Sequence, residues 1–539
     1  MKATLPAAFV VAFLAIVPLK AQAQPYAVSR HSLPGGGGRI SGGVYSQEGA
    51  IGTLSFGASL VGMGYTVSPG YLPPLQPPGA PTSVLSSLNP SNQGDNVTFT
   101  ASVGGSAPTG TVTFKDGAMT IAGCSAVTLS PSFAASCSTS LLGTGVHAIS
   151  AEYSGDGGHP ASLGSLVGGQ LVGSVVAPGD LVIREFRSRG PAGAEDEYVT
   201  IFNRSASAVT VAATDGSSGF GLVAQRAGAC PSGSSQQLAA IPNGTVIPSG
   251  GSYLAANTTA PTAFSLSDYG GSAASLANAT WNVDLCDGGG LGLFNSTLSF
   301  TSLTVIDSVG FAGIGIAPFV EGAGLPAVVA VGGEWAFVRK APYPMGAVQD
   351  TGQNQNDFLL VAPDAGVYSS TQSALGAPGP RNLAAPRSVS LVTSLADPTV
   401  SSTAIPNKAQ SGNYHYFRRK LTNNTGAPIT KLRLRVKDLT TLKGPGYSSA
   451  GQADWRAIAT GDAVIALADF TTPTARGLIL EAPAIPYSAT GKGGGLNASL
   501  VVDLAGTPIP DGGSIYVNLG FRNVKGGSYF FILVPEAGN

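Results

Sequence analysis

Four cysteines are the residues whose type and spacing point most directly to chemistry: Cys124, Cys137, Cys230 and Cys286. None forms a CxxC pair, so their spacing does not indicate a zinc site or a thioredoxin-type centre. Four cysteines allow three pairings. The local choice, Cys124–Cys137 and Cys230–Cys286, keeps each pair inside one predicted domain, and four buried free thiols are the alternative. The two bridges would contribute about 3 and about 4 kcal/mol by restricting the unfolded chain.

A run of basic residues near the C-terminus is the second feature that could support binding. Lys431, Arg433, Arg435 and Lys437 alternate with other residues, so on a β-strand they share one face. That face could meet an anionic glycan, a lipid headgroup or nucleic acid. The alternative is the solvated side of a half-buried antiparallel sheet. The preceding predicted strand adds three more basic residues: Arg418, Arg419 and Lys420.

Motifs of the common enzyme classes are missing from the sequence. There is no GxSxG nucleophile turn and no HExxH pair, and Gly491-Lys492 is followed by Gly493 rather than Ser or Thr, which rules out a phosphate-binding loop. We therefore expect no enzyme activity and no cofactor. A Ser–His–Asp set brought together by folding cannot be read from spacing, so a hydrolase hidden in the C-terminal domain is an alternative.

Two acidic groups and one tryptophan are further candidates for binding residues. Residues 195–197 are three successive acids, and Asp284 and Asp287 flank Cys286. Either group could coordinate calcium, but neither has the EF-hand pattern, and solvated turn acids are the simpler interpretation. Trp455 could offer an exposed platform for sugars, with packing in a sandwich core as the alternative. We expect no metal site.

The composition excludes several classes of protein. Charged residues make up 11% of the chain, and 28 Lys and Arg stand against 29 Asp and Glu. A nucleic-acid binder working through a basic field is therefore not expected. The 43% of hydrophobic residues is enough for real cores, whereas 75 Gly and 38 Pro predict many turns.

The N-terminus has the pattern of a secretory signal peptide. Met1-Lys2 is a short basic start, residues 7–19 are apolar, and Ala21-Gln22-Ala23 supplies small residues before a cleavage site. We expect cleavage after Ala23 and a mature chain with no transmembrane segment, because no later apolar run reaches about 18 residues. This predicts export to the cell surface or the medium, with the periplasm as another possible compartment.

The remaining sequence predicts short strands separated by Gly and Pro turns. Residues 24–78 are a Gly-, Ser- and Tyr-rich segment of short hairpins followed by a Pro-rich linker. In residues 82–172, period-two runs such as 97–103 and 111–114 alternate with turns such as 115–117. Short strands at this spacing indicate a β-sandwich.

This second stretch resembles a bacterial Ig-like repeat domain. The resemblance rests on Asn89-Pro90-Ser91, on residues 108–117, on Cys124 and Cys137, and on Tyr153-Ser154-Gly155-Asp156. It implies an Ig-like sandwich with the two cysteines on adjacent strands, and a spacer or adhesive role without catalysis.

Residues 179–386 resemble a bacterial lamin-tail domain. The matching segments are VIREF at 182–186, DEYVTIFN at 196–203, IPNGTVIPSGGSYL at 241–254 and GGLGLF at 289–294. The resemblance implies a second Ig-like sandwich. Thr200 stands where many relatives have a carboxylate, which weakens any acidic cluster there, and Cys230 and Cys286 look like an addition tied to insertions.

We therefore expect an all-β chain of tandem Ig-like sandwiches preceded by a Gly-rich hairpin segment. The predicted order is a signal peptide (1–23), the hairpin segment and linker (24–78), the Ig-like domain (79–176), the lamin-tail-like domain (177–386) and a C-terminal β-domain (387–539). The leading hypothesis is an exported, non-catalytic structural or adhesive protein, whose partners would be surface or matrix glycan or another envelope protein. The alternatives are a secreted protein that binds anionic glycan through Lys431, Arg433, Arg435 and Lys437, and the hidden hydrolase.

Overall fold

The fold is all-β, as predicted. In the computed structural model the described residues are 38–42, 45–49, 60–62, 65–67, 81–225, 235–259, 277–285, 287–313, 316–328, 331–341, 348–395, 408–440, 451, 453–467, 469–480 and 494–538. Within these ranges there is one helix, α1 (Asn354–Asp357). No helical segment of the described chain could therefore cross a bilayer.

Residues 1–76 form one compact unit that contains two antiparallel hairpins. Gly42 pairs with Tyr45 at the end of the first hairpin, and Gly62 pairs with Tyr65 in the second, which confirms the predicted hairpins. Their strands are β1 (Gly38–Gly42), β2 (Tyr45–Gly49), β3 (Leu60–Gly62) and β4 (Tyr65–Val67).

Residues 77–539 form the other compact unit, which begins with the first sandwich (residues 81–173). Its sheets have the strand orders β11-β7-β5, β10-β8-β13-β14 with β9 on β8, and β12-β15-β6. The strands are β5 (Thr82–Ser86), β6 (Ser91–Asn92), β7 (Val97–Val103), β8 (Thr111–Asp116), β9 (Met119–Thr120), β10 (Val127–Thr128), β11 (Ala134–Thr139), β12 (Gly145–His147), β13 (Ile149–Tyr153), β14 (Ser162–Ser165) and β15 (Gln170–Gly173).

The core of the first sandwich follows from the alternation in its sequence. Every second residue of β7 is buried, as a strand with one face on a core requires. Phe99 from β7 and Phe114 from β8 are fully buried in one cluster. Cys124 and Cys137 also lie in this cluster and form a disulfide, which confirms that predicted pair.

The second sandwich (residues 181–375) pairs a seven-stranded sheet, β23-β22-β17-β16-β26-β27-β30, with a four-stranded sheet, β20-β19-β24-β25. Two short pairs, β18–β21 and β28–β29, complete it. The strands are β16 (Leu181–Arg187), β17 (Tyr198–Asn203), β18 (Val209–Thr210), β19 (Gly219–Gln225), β20 (Gln236–Pro242), β21 (Val246–Ile247), β22 (Ser252–Asn257), β23 (Ala279–Trp281), β24 (Gly290–Phe294), β25 (Val305–Gly310), β26 (Ala336–Arg339), β27 (Phe358–Ala362), β28 (Val367–Tyr368), β29 (Thr371–Gln372) and β30 (Ala374–Leu375).

The seven-stranded sheet is buried on both faces. On its inner face, Ile183 and Phe337 share a core with Leu222 of the four-stranded sheet. On its outer face, Tyr198 belongs to a smaller apolar cluster that includes Leu496, a residue from outside this sandwich. Burial on both sides explains why all seven residues of β16 are buried, charged ones included.

The third sandwich (residues 387–538) has a five-stranded sheet, β31-β42-β35-β40-β39. Its seven-stranded sheet has the path β32-β34-β41-β38-β37, with β33 on β34 and β36 on β41. The strands are β31 (Arg387–Ser388), β32 (Val392–Leu395), β33 (Lys408–Ser411), β34 (Tyr414–Thr422), β35 (Lys431–Leu439), β36 (Asp454–Ile458), β37 (Ala463–Val464), β38 (Thr474–Arg476), β39 (Leu478–Leu480), β40 (Ser499–Val502), β41 (Ser514–Lys525) and β42 (Phe531–Gly538).

Aromatic residues fill the core of the third sandwich. Trp455 from β36 is 1% exposed and packs with Phe417 and Phe521. The ring of Tyr529 stacks on the Trp455 indole with centroids 3.7 Å apart. Trp455 is therefore a core residue and offers no platform for a sugar. This agrees with the alternative that it packs in a sandwich core.

Candidate functional site: a cationic junction between two sandwiches

The predicted basic face lies where the third sandwich meets the second. Lys431, at the start of β35, is exposed, but Arg433 and Arg435 are only 8% and 2% exposed. Arg433 lies directly opposite Glu536 of β42 in the antiparallel pair. This side of the five-stranded sheet therefore faces protein along most of its length, where the sequence pattern suggested solvent. Binding of an anionic ligand by the face stays a prediction.

Glu536 is the centre of a buried ion network. Its Oε2 accepts a 2.6 Å hydrogen bond from Nε of Arg433, and its Oε1 accepts a 2.9 Å bond from Nε of Arg435. Arg381, from the segment after the second sandwich, places Nη1 2.8 Å from the same Oε1. Hydrogen bonds between ionised partners are the strong kind. These three guanidinium groups outweigh burial and hold the pKa of Glu536 well below its usual range.

A second carboxylate, Glu185 of β16, joins the two sandwiches directly. Its Oε1 accepts hydrogen bonds from the Tyr198 hydroxyl and from the Gly379 amide. Its Oε2 accepts a 3.4 Å bond from Nδ2 of Asn497, a residue of the third sandwich. Asn497 also contributes its backbone oxygen, which accepts a 2.7 Å bond from Nη1 of Arg435. The chain therefore satisfies these buried polar groups across the junction, as burial requires.

The junction holds more positive than negative charge. Five cations interact electrostatically with two carboxylates, which leaves a formal excess of three positive charges. Burial and the neighbouring cations lower the pKa of Arg184 to about 10, and they lower that of Lys437 well below its ordinary value. The cations are Arg184, Arg381, Arg433, Arg435 and Lys437, and the carboxylates are Glu185 and Glu536.

A cavity of about 430 Å³ opens beside this network. The second sandwich contributes Arg184, Phe202 and Arg204 to its wall, and the third contributes Lys437 and Asp438. Further lining residues are apolar or carry hydroxyls: Val348, Val389, Ile532, Val534, Ser205, Ser249, Ser388 and Ser390. A site of this size between two domains, with an apolar wall and a few polar groups, has the ordinary features of a ligand pocket.

Arg184 and Lys437, which both line the cavity, come from irregular points in their strands. The pairing of β16 with β17 shifts register between Ile183 and Glu185, at Arg184. The pairing of β35 with β42 shifts between Val436 and Asp438, at Lys437. A β-bulge re-aims the side chain of its extra residue, and bulges are common beside functional sites. No feature of the sequence alone marks either bulge.

Three of the acids that could coordinate calcium instead form ion pairs or hydrogen bonds with other residues of the protein. Asp196 forms a buried ion pair with Arg187, and Asp287 lies 2.8 Å from Nε of Arg189. Glu197 is fully buried, and its Oε1 accepts a 2.8 Å bond from the amide of Leu285. Burial raises the pKa of Glu197 well above its usual value. These contacts give all three acids a structural role.

Another acidic cluster, missed by sequence reasoning, lies in the second sandwich. Asp307, Glu321 and Asp350 bring carboxylate oxygens within 4.8 Å of one another. Arg339 lies among them, with Nη2 2.6 Å from Asp307 and Nη1 3.3 Å from Asp350. Its guanidinium supplies the positive charge that such a cluster needs. The members are far apart in sequence, so no local pattern could have revealed them.

His415 bears on the hydrolase alternative. Its ring stacks on Trp455, with centroids 4.9 Å apart, and its Nδ1 has no hydrogen-bond partner. Burial and the nearby Lys408 lower its pKa. A catalytic histidine is normally oriented by an acceptor on Nδ1, which His415 lacks.

The second predicted disulfide, Cys230–Cys286, lies outside the described residues and stays a prediction.

Comparison with known proteins identifies one segment. Residues 84–167 match the family model of the bacterial Ig-like domain (group 3). The match lies within the first sandwich and confirms the Ig-like resemblance. The resemblance of residues 179–386 to a lamin-tail domain stays a prediction. No curated protein matches the chain.

Proposed function

We propose that the protein is exported and has a non-catalytic structural or adhesive role at the cell surface or outside the cell. The match of residues 84–167 to a bacterial Ig-like family supports a surface or structural modular protein. The Cys124–Cys137 disulfide supports an oxidising compartment, where such bonds persist. The signal-peptide pattern of residues 1–23 agrees with export.

The observation that carries a structural role is the junction between the second and third sandwiches. Domains of one chain usually move relative to each other unless their interface is large and apolar. Here an apolar cluster containing Tyr198 and Leu496 spans the junction, and Arg381 and Glu536 form an ion pair there. A joint held in this way transmits force and keeps its geometry, which suits a spacer that holds a binding surface away from the cell.

The proposed domain order follows the sequence analysis. A signal peptide (1–23) precedes a hairpin segment with a Pro-rich linker (24–78), an Ig-like domain (79–176), a lamin-tail-like domain (177–386) and a C-terminal β-domain (387–539). The partner would be a surface or matrix glycan or another envelope protein.

Protease treatment of intact producing cells tests the proposed location. Released peptides are identified by mass spectrometry, with a periplasmic protein of the same cells as the control for leakage. Peptides from residues 179–539 released without the periplasmic control support a surface location, and binding of cells that lack the protein to glycan-coated surfaces is then compared with wild type. Protection of all its peptides until the envelope is broken would contradict the surface role.

A further inference from the structure

We propose that the cavity between the second and third sandwiches binds a small amphipathic organic anion, with its anionic head between Arg184 and Lys437 and its apolar part against the opposite wall. The proposal goes beyond the structural role above and would hold for a spacer or an adhesin alike. The site differs from the open basic face predicted from the sequence, because it lies in a cleft and uses residues of two sandwiches.

Arg184 is the principal anion-binding group. It is 4% exposed, it lines the cavity, and its guanidinium lies 4.7 Å from the centre of the Phe202 ring. This cation–π contact is its one short-range partner among the described residues. A guanidinium presents five N–H donors in a planar fork that matches carboxylate and phosphate oxygens. An anion in the cavity would accept charge-assisted hydrogen bonds from this guanidinium.

Lys437 faces the same cavity from the other sandwich. It is half-buried, and it has no hydrogen bond or ion pair within the described chain. Burial and the neighbouring cations Arg184 and Arg381 lower the pKa of Lys437, and a bound anion would favour its ammonium form and gain a second charged donor. Arg184 and Lys437 thus offer paired donors that make no hydrogen bond to any residue the structure describes.

The rest of the wall selects for an amphipathic ligand. Phe202, Val389, Ile532 and Val534 give it an apolar side. Arg204 and Asp438 contribute one charge of each sign, and Arg204 is already 3.0 Å from Asp350. A small inorganic anion would bind the cations but leave the apolar side chains in contact with water. A carboxylate on an alkyl or aryl body would bind the cations and also cover the apolar side chains.

Calorimetric titration of the full-length mature protein with octanoate tests this proposal. Octanamide, which has the same body without the charge, is the matched control ligand, and octyl phosphate tests whether the head must be a carboxylate. Lys437→Met and Arg184→Met are the test variants, each checked for an intact fold by circular dichroism. Lys525→Met is the control variant, because Lys525 lies in the same sandwich but is exposed and does not line the cavity.

We expect octanoate to bind at least about tenfold more tightly than octanamide, and each test variant to weaken octanoate by about tenfold or more. Lys525→Met should bind octanoate like wild type. Lys437→Met keeps the test decisive if Arg184→Met does not fold. Failure of octanoate and octyl phosphate to bind at millimolar concentrations, equal binding of octanamide, or an unchanged affinity of Lys437→Met would overturn the proposal.

Discussion

Glu536 lies directly opposite Arg433 in the β35–β42 pair, and its carboxylate accepts a 2.6 Å hydrogen bond from Nε of that residue. Arg435 and Arg381 bind the same carboxylate. One buried acid thus holds two guanidinium groups from β35 and one from the segment that follows the second sandwich. These three guanidinium groups therefore share the negative charge of one carboxylate.

Removing that charge should be strongly destabilising. Glu536→Gln keeps the size and one acceptor oxygen but removes the carboxylate charge that three buried guanidinium groups share. We expect a loss of about 3–5 kcal/mol in the free energy of unfolding, the usual result of breaking a buried pair from one side. Urea denaturation of the full-length protein at neutral pH measures it.

The pH dependence of the same variant gives a second check. The pKa of Glu536 is held well below the ordinary value of 4.5. Its stabilising contribution is therefore complete above pH 4.5 and is lost as the pH falls below that value. The difference between wild type and Glu536→Gln should shrink on acidification. Glu152→Gln, at an exposed ion pair with Lys115, is the control and should cost at most about 1 kcal/mol.

Lys437→Met should stabilise the protein at neutral pH. Burial and the cations Arg184 and Arg381 lower the pKa of Lys437 below 10.5, so the folded state disfavours the proton that the unfolded chain keeps. This penalty is complete below the folded-state pKa and disappears as the pH rises to 10.5. We expect the free energy of unfolding to increase at neutral pH and the gain to shrink toward pH 10.5, as measured by denaturation across this pH range. A loss of stability at neutral pH would mean that the ammonium is paired.

Loss of the Cys124–Cys137 bridge should loosen the first sandwich. The bridge closes a loop with a sequence separation of 13, and replacing both residues with Ala should cost about 3 kcal/mol. Thermal unfolding of the full-length double variant measures this loss. The rate of proteolysis within residues 81–173 shows that it arises in the first sandwich. A reducing agent should produce the same shift in wild type and none from this bridge in the variant. Equal melting of reduced and oxidised wild type would contradict the expectation.

Local patterns in the sequence were enough to predict much of the fold. The alternation at 97–103 predicted β7, because one face of that strand meets a core and the other meets solvent. The Cys124–Cys137 pair was found because its members are close in sequence and in one sandwich. The two hairpins of residues 38–67 likewise depend on neighbouring residues.

The junction could not be predicted, because its contacts are not local. The alternation in β35 correctly placed Arg433 and Arg435 on one face, but it carried no information on what covers that face. Glu536 and Arg381 reach it from distant parts of the chain. The bulges at Arg184 and Lys437 depend on strand pairing and not on residue type. A site built between sandwiches therefore needs the structure before it can be seen.

For the acidic cluster around Arg339, we expect stability to change with pH in the direction opposite to that expected for Glu536. Burial and the nearby Asp307 raise the pKa of Glu321 to about 8, whereas its ordinary value is 4.5. The folded protein therefore keeps a proton that the unfolded chain releases, and stability falls as the pH rises from 4.5 toward about 8. Glu321→Gln mimics the protonated form, so it should match wild type near pH 4.5 and become increasingly more stable than wild type as the pH rises toward about 8. Melting temperatures across this range measure the difference, with Glu152→Gln as the control. A parallel decline in wild type and Glu321→Gln would show that Glu321 is ionised in the folded protein and that Arg339 balances the whole cluster.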